Sequence, residues 1–160
     1  MKLDDAIDYF KLNRRIKMRL WHKDLIEHLP YQQLIGQHRE CCALRGKGWG
    51  KKHSVVGYVF NHNYLTLVNY HITVIKRLIQ EFKVDVNKLW LYNNYRGEEL
   101  GLMELNELPN TTVKDLMGYP EHDDEYLLSC LNNLKNKGID LFDKFPSLIE
   151  KMVYGIDWPI

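Results

Sequence analysis

Apolar residues along this chain recur at helical spacing. Leu65, Val68, Ile72, Ile75, Ile79 and Phe82 advance by alternating steps of three and four, which predicts an amphipathic core helix of about five turns. Within it, Tyr70 and His71 read as structural. Leu25, Ile26 and Leu29 form a shorter stripe over Leu25–Leu29 that Pro30 ends, because proline disfavours helical geometry in the residue before it. A second helix is expected from Tyr31 to about Leu44, with Leu34, His38 and Cys41 on one side and Gln33, Gly36 or Gln37, and Glu40 on another. Leu127, Cys130, Leu131 and Leu134 mark a helix that Asp123 or Asp124 can cap and Gly138 can end. A last short helix is expected near Pro146–Val153, followed by Trp158 with apolar surface to bury. Residues 83–119 lack a sustained period and carry Asn93-Asn94, Arg96-Gly97, Pro109 and Gly118, so they read as a long irregular acidic connection fastened by Trp90, Tyr92 and Tyr95. No hairpin alternation appears. The expected fold is all-α: a compact single-domain helical fold with one long irregular connection.

Composition agrees with that reading. At 160 residues, 45% hydrophobic and 27% charged, the chain has the profile of one ordinary globular domain. No apolar run approaches the roughly 18 residues of a membrane span, and no signal-peptide core is present, so no membrane partner and a cytoplasmic location are expected. Cys41, Cys42 and Cys130 are too few for a disulfide framework. Without CxxC or HExxH spacing, neither a metal nor another cofactor is expected, and the thiols read as reduced and buried.

The net charge of +1 conceals a segregation. Arg19 to His53 holds seven Lys/Arg against three Asp/Glu, whereas Asp85 to Tyr126 holds three against ten. The basic stretch suits a polyanion; two oppositely charged solvated faces explain the counts equally well. Inside the basic stretch, Arg39 and Glu40 sit on a helix one turn beyond Gly36, whose bare backbone would let a ligand come close at a cost of about 1 kcal/mol in helix propensity. The loop Arg45-Gly46-Lys47-Gly48-Trp49-Gly50-Lys51-Lys52-His53 follows. Its glycines, lysines and Trp49 offer backbone N–H groups, phosphate attraction and a stacking face. A flexible surface turn is the other reading, and Walker-type spacing is absent.

Residues 1–17 stand apart. Asn13-Arg14-Arg15-Ile16-Lys17-Met18 is what a ribosome-binding leader would spell if translated, so Met18 is the expected first residue and 1–17 an extension or mis-called start. Leu3, Ile7 and Phe10 also fit a real helix over Leu3–Leu12.

Taken in order, Met18-Arg19, the Leu25–Leu29 stripe, Gln32-Gln33-Leu34 leading to Arg39-Glu40, the Arg45–His53 loop, Tyr58-Val59-Phe60 and Tyr119-Pro120-Glu121-His122 resemble the pyrimidine-dimer DNA glycosylase family of the phage endonuclease V type. The likeness runs from Met18 to about Ile139. It is closest to the family's cellular branch, whose members begin MRLWH and carry HRECCALRGKGWGKKH. The resemblance implies a DNA repair glycosylase with abasic-site lyase activity on damaged pyrimidines (pyrimidine dimers), acting as a monomer on double-stranded DNA. In that family the N-terminal α-amine attacks the sugar and forms an imine. A pKa near 7.7–8.0 leaves a useful fraction of such an amine neutral. By resemblance, the amine of Met18 and the carboxylate of Glu40 would be catalytic. Arg39 and Arg45 would hold phosphates, Arg19 and Gln32 would line the site, and Gln33, Lys47, Trp49, Lys51 and Lys52 would complete the DNA-binding surface. His22 and His38 receive no role. Two alternatives remain: a non-catalytic nucleic-acid-binding module of the same fold, and an enzyme using Glu40 on another nucleoside or glycosidic substrate.

Overall fold

The computed structural model describes residues 20–51 and 57–154. Met18, Arg19, Lys52, the Leu3–Leu12 stretch and Trp158 lie outside the described residues. Helices α1 (Tyr31–Arg45), α2 (Tyr64–Gln80), α3 (Val113–Leu116), α4 (Asp124–Asn136) and α5 (Pro146–Tyr154) are joined by 3-10 turns. Among the described residues there is no strand, only an isolated bridge between Tyr95 and Leu102. The fold is all-α, as expected. The described residues form two compact units that divide between Glu121 and His122, 20–121 and 122–154.

In the first unit, α1 packs on α2. Asn63 starts α2, its side-chain oxygen accepting the Leu65 N–H at 2.9 Å. The helix lies where periodicity put it, but its buried face is wider than the predicted stripe. Val68 and Ile75 of the stripe are buried, together with Tyr64, Leu67, His71, Val74 and Leu78, whereas Leu65, Ile72 and Ile79 are only partly covered. The apolar stripe alone is misleading because polar His71 occupies the centre of the buried face.

The Leu25–Leu29 stripe forms a 3-10 turn, Lys23–Leu25, instead of an α-helix. Its apolar residues Leu25, Ile26 and Leu29 are all buried. Pro30 leaves too little chain for an i→i−4 ladder, and Arg77 of α2 donates to the carbonyls of Ile26, at 2.7 Å, and Leu29.

Residues 81–121 hold together with only α3 and short 3-10 turns as regular structure. Asn63 and Asn69 donate to the carbonyls of Asn110 and Leu116, and Thr112 with Asp115 forms a capping box on α3. Trp90 and Tyr95 pack edge to face at 4.8 Å. Tyr92 does not fasten the segment by its ring, which is 59% exposed; its carbonyl does so instead.

In the second unit, Asp123 caps α4 by accepting the Tyr126 N–H at 2.8 Å. Leu127, Cys130, Leu131 and Leu134 are buried, and Gly138 follows the helix at φ 85°, where a side chain would be strained. Helix α5 lies where the tail helix was expected, and Lys151 on it pairs with Asp124 at 2.5 Å.

Candidate functional site

Helix α1 places Gln33, Gln37 and Glu40 along one side. Gln37 is buried, while Gln33 and Glu40 are half-buried. The Gln37 carbonyl oxygen accepts the Trp21 N–H at 2.7 Å, and the Tyr70 hydroxyl, 3.0 Å from that oxygen, donates to the Trp21 carbonyl at 2.6 Å. Both backbone groups of Trp21, three residues beyond position 18, are therefore fixed, the N–H by Gln37, which lies one helical turn before Glu40. Tyr70 is structural here, but what it positions is the chain next to the candidate site. Gln32 and Arg39 are exposed on the same helix.

Gly36 is also exposed, and an added Cβ would meet nothing within 4 Å. Gly36→Ala is thus expected to stabilise the chain by about 1 kcal/mol. If ligand backbone approaches here, the same variant weakens binding to an abasic duplex; unfolding and binding titrations measure the two effects separately.

The basic loop departs from expectation at two residues. Arg45 is fully buried. Its Nη1 donates to the Trp90 carbonyl at 2.7 Å and to His71 Nδ1 at 3.0 Å, while Nη2 donates to the carbonyls of Tyr92 and Tyr95 at 2.8 and 3.1 Å. A guanidinium committed to four internal acceptors cannot hold a surface phosphate, so Arg45 belongs to the scaffold. Trp49 is half-buried, its ring edge to face with Phe60 at 5.2 Å and Tyr64 at 4.9 Å. It pins the loop instead of presenting an open stacking face. Gly48 is needed for packing, because a Cβ there would lie 2.7 Å from the Ala43 carbonyl oxygen. Lys47 and Lys51 are exposed, with Lys47 paired to Glu99 of the acidic connection.

Three donor side chains come together between α1 and α2. His38 Nδ1 lies 2.8 Å from His71 Nε2, and Cys42 Sγ lies 3.8 Å from each of these atoms. The ligand atoms all fall within 4.8 Å of one another, a set able to hold a metal ion. Neither CxxC nor HExxH spacing marks this set in the sequence, contrary to the expected absence of a metal site; its one local signal is His38 and Cys42 one turn apart on a helix. Arg45 donates to His71 Nδ1, so the neutral ring carries its proton on Nε2 and donates to His38 Nδ1. Burial lowers the His38 pKa, with Arg39 adding to the effect. Burial lowers that of His71 well below 6.5, helped by Arg45 and His38. Burial pushes the Cys42 thiol up to about 12. Cys42 also lines a cavity of about 560 Å³ walled by Trp90, Tyr95, Arg96 and Gly97.

Buried neutral histidines make stability pH-dependent. The unfolded state binds protons below about pH 6.5, whereas the native state resists them. Stability is complete above that pH and falls as pH falls towards the lowered native values. For His71 the loss is up to about 1.4 kcal/mol per pH unit. Urea unfolding in the presence of a chelator between pH 7.5 and pH 5 checks this, and His71→Gln should flatten the slope.

Comparison with known families bears on the Glu40 face. Residues 18–85 match the model of the pyrimidine dimer DNA glycosylase family. This is the family that the sequence motifs resemble. The match includes α1, the basic loop and α2, and ends before Ile139, where the motif likeness was expected to stop. It supports a glycosylase-type function at family level and DNA as the substrate. No curated protein and no solved structure matches significantly. Among the described residues, no helix is long and apolar enough to cross a membrane.

Proposed function

We propose that this chain is a DNA glycosylase and abasic-site lyase acting on damaged pyrimidines, pyrimidine dimers among them, through an imine to the α-amine of Met18. The observation that carries this reading is the fixing of Trp21 on Gln37 and Tyr70, which brings the chain just beyond position 18 alongside the helix that bears Glu40. The family match supports it by beginning at residue 18.

In this reading the working chain starts at Met18, and residues 1–17 are an extension. The neutral amine attacks C1′ of the damaged nucleotide as the bond to the base breaks. The base leaves with the electron pair and a proton, and the sugar ring opens to an imine. Glu40 stabilises the positive sugar and then assists removal of a C2′ proton, so that the C3′–O bond breaks by β-elimination and the strand is cut. At a pre-existing abasic site the aldehyde condenses directly with the amine and releases water. Arg19, Gln32, Gln33, Arg39, Lys47, Lys51 and Lys52 meet the duplex, with the cations on phosphates, while Arg45 and Trp49 hold the scaffold. The enzyme works as a cytoplasmic monomer, and extruding a nucleotide costs least where damage has already weakened stacking.

The test is strand cleavage on a duplex with one abasic site, comparing protein that begins at Met18 with protein that retains residues 1–17. Cleavage is expected from the former and at least about 100-fold less from the latter. Tight, salt-sensitive binding without cleavage from either would leave a nucleic-acid-binding module. Absence of DNA affinity would point to another glycosidic substrate.

A further inference from the structure

We propose that His38, Cys42 and His71 form a binding site for a monovalent thiophilic metal ion of the Cu(I) class. The proposal is independent of the glycosylase reading, because it concerns different atoms and a different ligand.

Geometry is the first argument. An ion bound at about 2.0–2.1 Å to two imidazole nitrogens and about 2.3 Å to a thiolate in a plane needs nitrogen–sulfur edges of about 3.8 Å. Both observed edges are 3.8 Å; Cys42 Sγ also lies 3.7 Å from His38 Nε2, so the His38 ring must turn to aim Nδ1 at the ion. The nitrogen–nitrogen edge, 2.8 Å, is a hydrogen-bond length. It must open to about 3.5 Å when an ion replaces the proton between the rings. The ligands come from two packed helices, half-buried His38 and Cys42 from α1 and buried His71 from α2, so helix packing holds the triangle. Cys42 also faces the cavity beside Trp90, which gives an ion a route in.

Charge selects the ion. Thiolate and imidazole together suit both Cu(I) and zinc, but Arg45 donates to His71 from 3.0 Å and has no carboxylate among its partners given above. A divalent ion with one thiolate would leave a net positive centre beside that guanidinium, whereas a monovalent ion leaves a neutral one. Binding exchanges one proton: the thiol loses its hydrogen to solvent as the metal–sulfur bond forms. The His71 proton moves from Nε2 to Nδ1, and Arg45 keeps its carbonyl partners while yielding its bond to the ring. No change of oxidation state is involved.

The experiment offers the reduced full chain Cu(I) from its coloured bicinchoninate complex without oxygen, and Zn(II) from a coloured chelator in parallel. One Cu(I) per chain should transfer. Affinity should drop at least about 100-fold in Cys42→Ser and about tenfold or more in His71→Gln, and be unchanged in Cys130→Ser. Zinc uptake with the same stoichiometry and comparable affinity would overturn the monovalent assignment. No Cu(I) uptake by the unaltered chain, or equal uptake by a folded Cys42→Ser chain, would overturn the site. Copper-edge X-ray absorption on the unaltered chain tests it without any variant: one sulfur and two nitrogens are expected, and two or more sulfurs would contradict it.

Discussion

Arg45→Met should lower the stability of the chain by about 3–5 kcal/mol. Methionine removes a buried charge, and that alone would be favourable. It also orphans the carbonyl of Trp90 and the Nδ1 of His71 and takes one of two donors from the carbonyls of Tyr92 and Tyr95, which keep the Tyr95 N–H at 3.2 Å and the Tyr64 hydroxyl at 3.1 Å; a buried unsatisfied acceptor costs about 1–3 kcal/mol. Two orphaned acceptors and two weakened ones outweigh the desolvation regained. Arg45→Lys should rescue little, because one ammonium cannot span acceptors arranged for a planar fork. The 88–103 segment should become sensitive to protease in both variants, since Arg45 ties it to the end of α1. Urea unfolding measures the main effect. A loss under about 1 kcal/mol would mean that water satisfies those carbonyls and that Arg45 is not the tie.

Glu40→Gln should separate chemistry from binding. Strand cleavage at an abasic site is expected to fall about 10²–10⁴-fold, the range for losing a positioned proton-transfer group. Affinity for the same duplex should change by less than about threefold, because the phosphate-contacting cations are untouched. The contrast arises because Glu40 is half-buried on α1, whereas Arg39, Lys47 and Lys51 are exposed. Equal loss of cleavage and binding would make Glu40 a structural residue.

These two residues also mark what the sequence could and could not reveal. Helices α1, α2, α4 and α5 were legible because apolar spacing, Pro30, Asp123 and Gly138 are local signals that the fold obeys. Glu40 was legible through its motif. Arg45 was not: its three carbonyl acceptors lie 45 to 50 residues away in an aperiodic segment and its fourth, His71, 26 residues away on α2, and no local pattern distinguishes a buried guanidinium from a phosphate clamp in a basic loop. Trp49 misled for the same reason, since Phe60 and Tyr64 claim its ring from beyond the loop. Gln37 had no signal except its place one turn before Glu40, yet it fixes Trp21. The buried face of α2 keeps Val68 and Ile75 of the predicted stripe but extends to the side of His71, which, polar in sequence, is held inside by Arg45 and His38. For Arg45, Gln37 and His71 a polar side chain is buried because a distant partner satisfies it, and spacing along the chain carries no trace of that partner.

The most direct measurement is borohydride trapping. Protein beginning at Met18 is incubated with an abasic-site duplex, reduced, and digested for mass mapping. A covalent adduct on the amine of Met18, absent when residues 1–17 are retained, is the predicted result. An adduct confined to a lysine side chain, or none at all while binding persists, would contradict it.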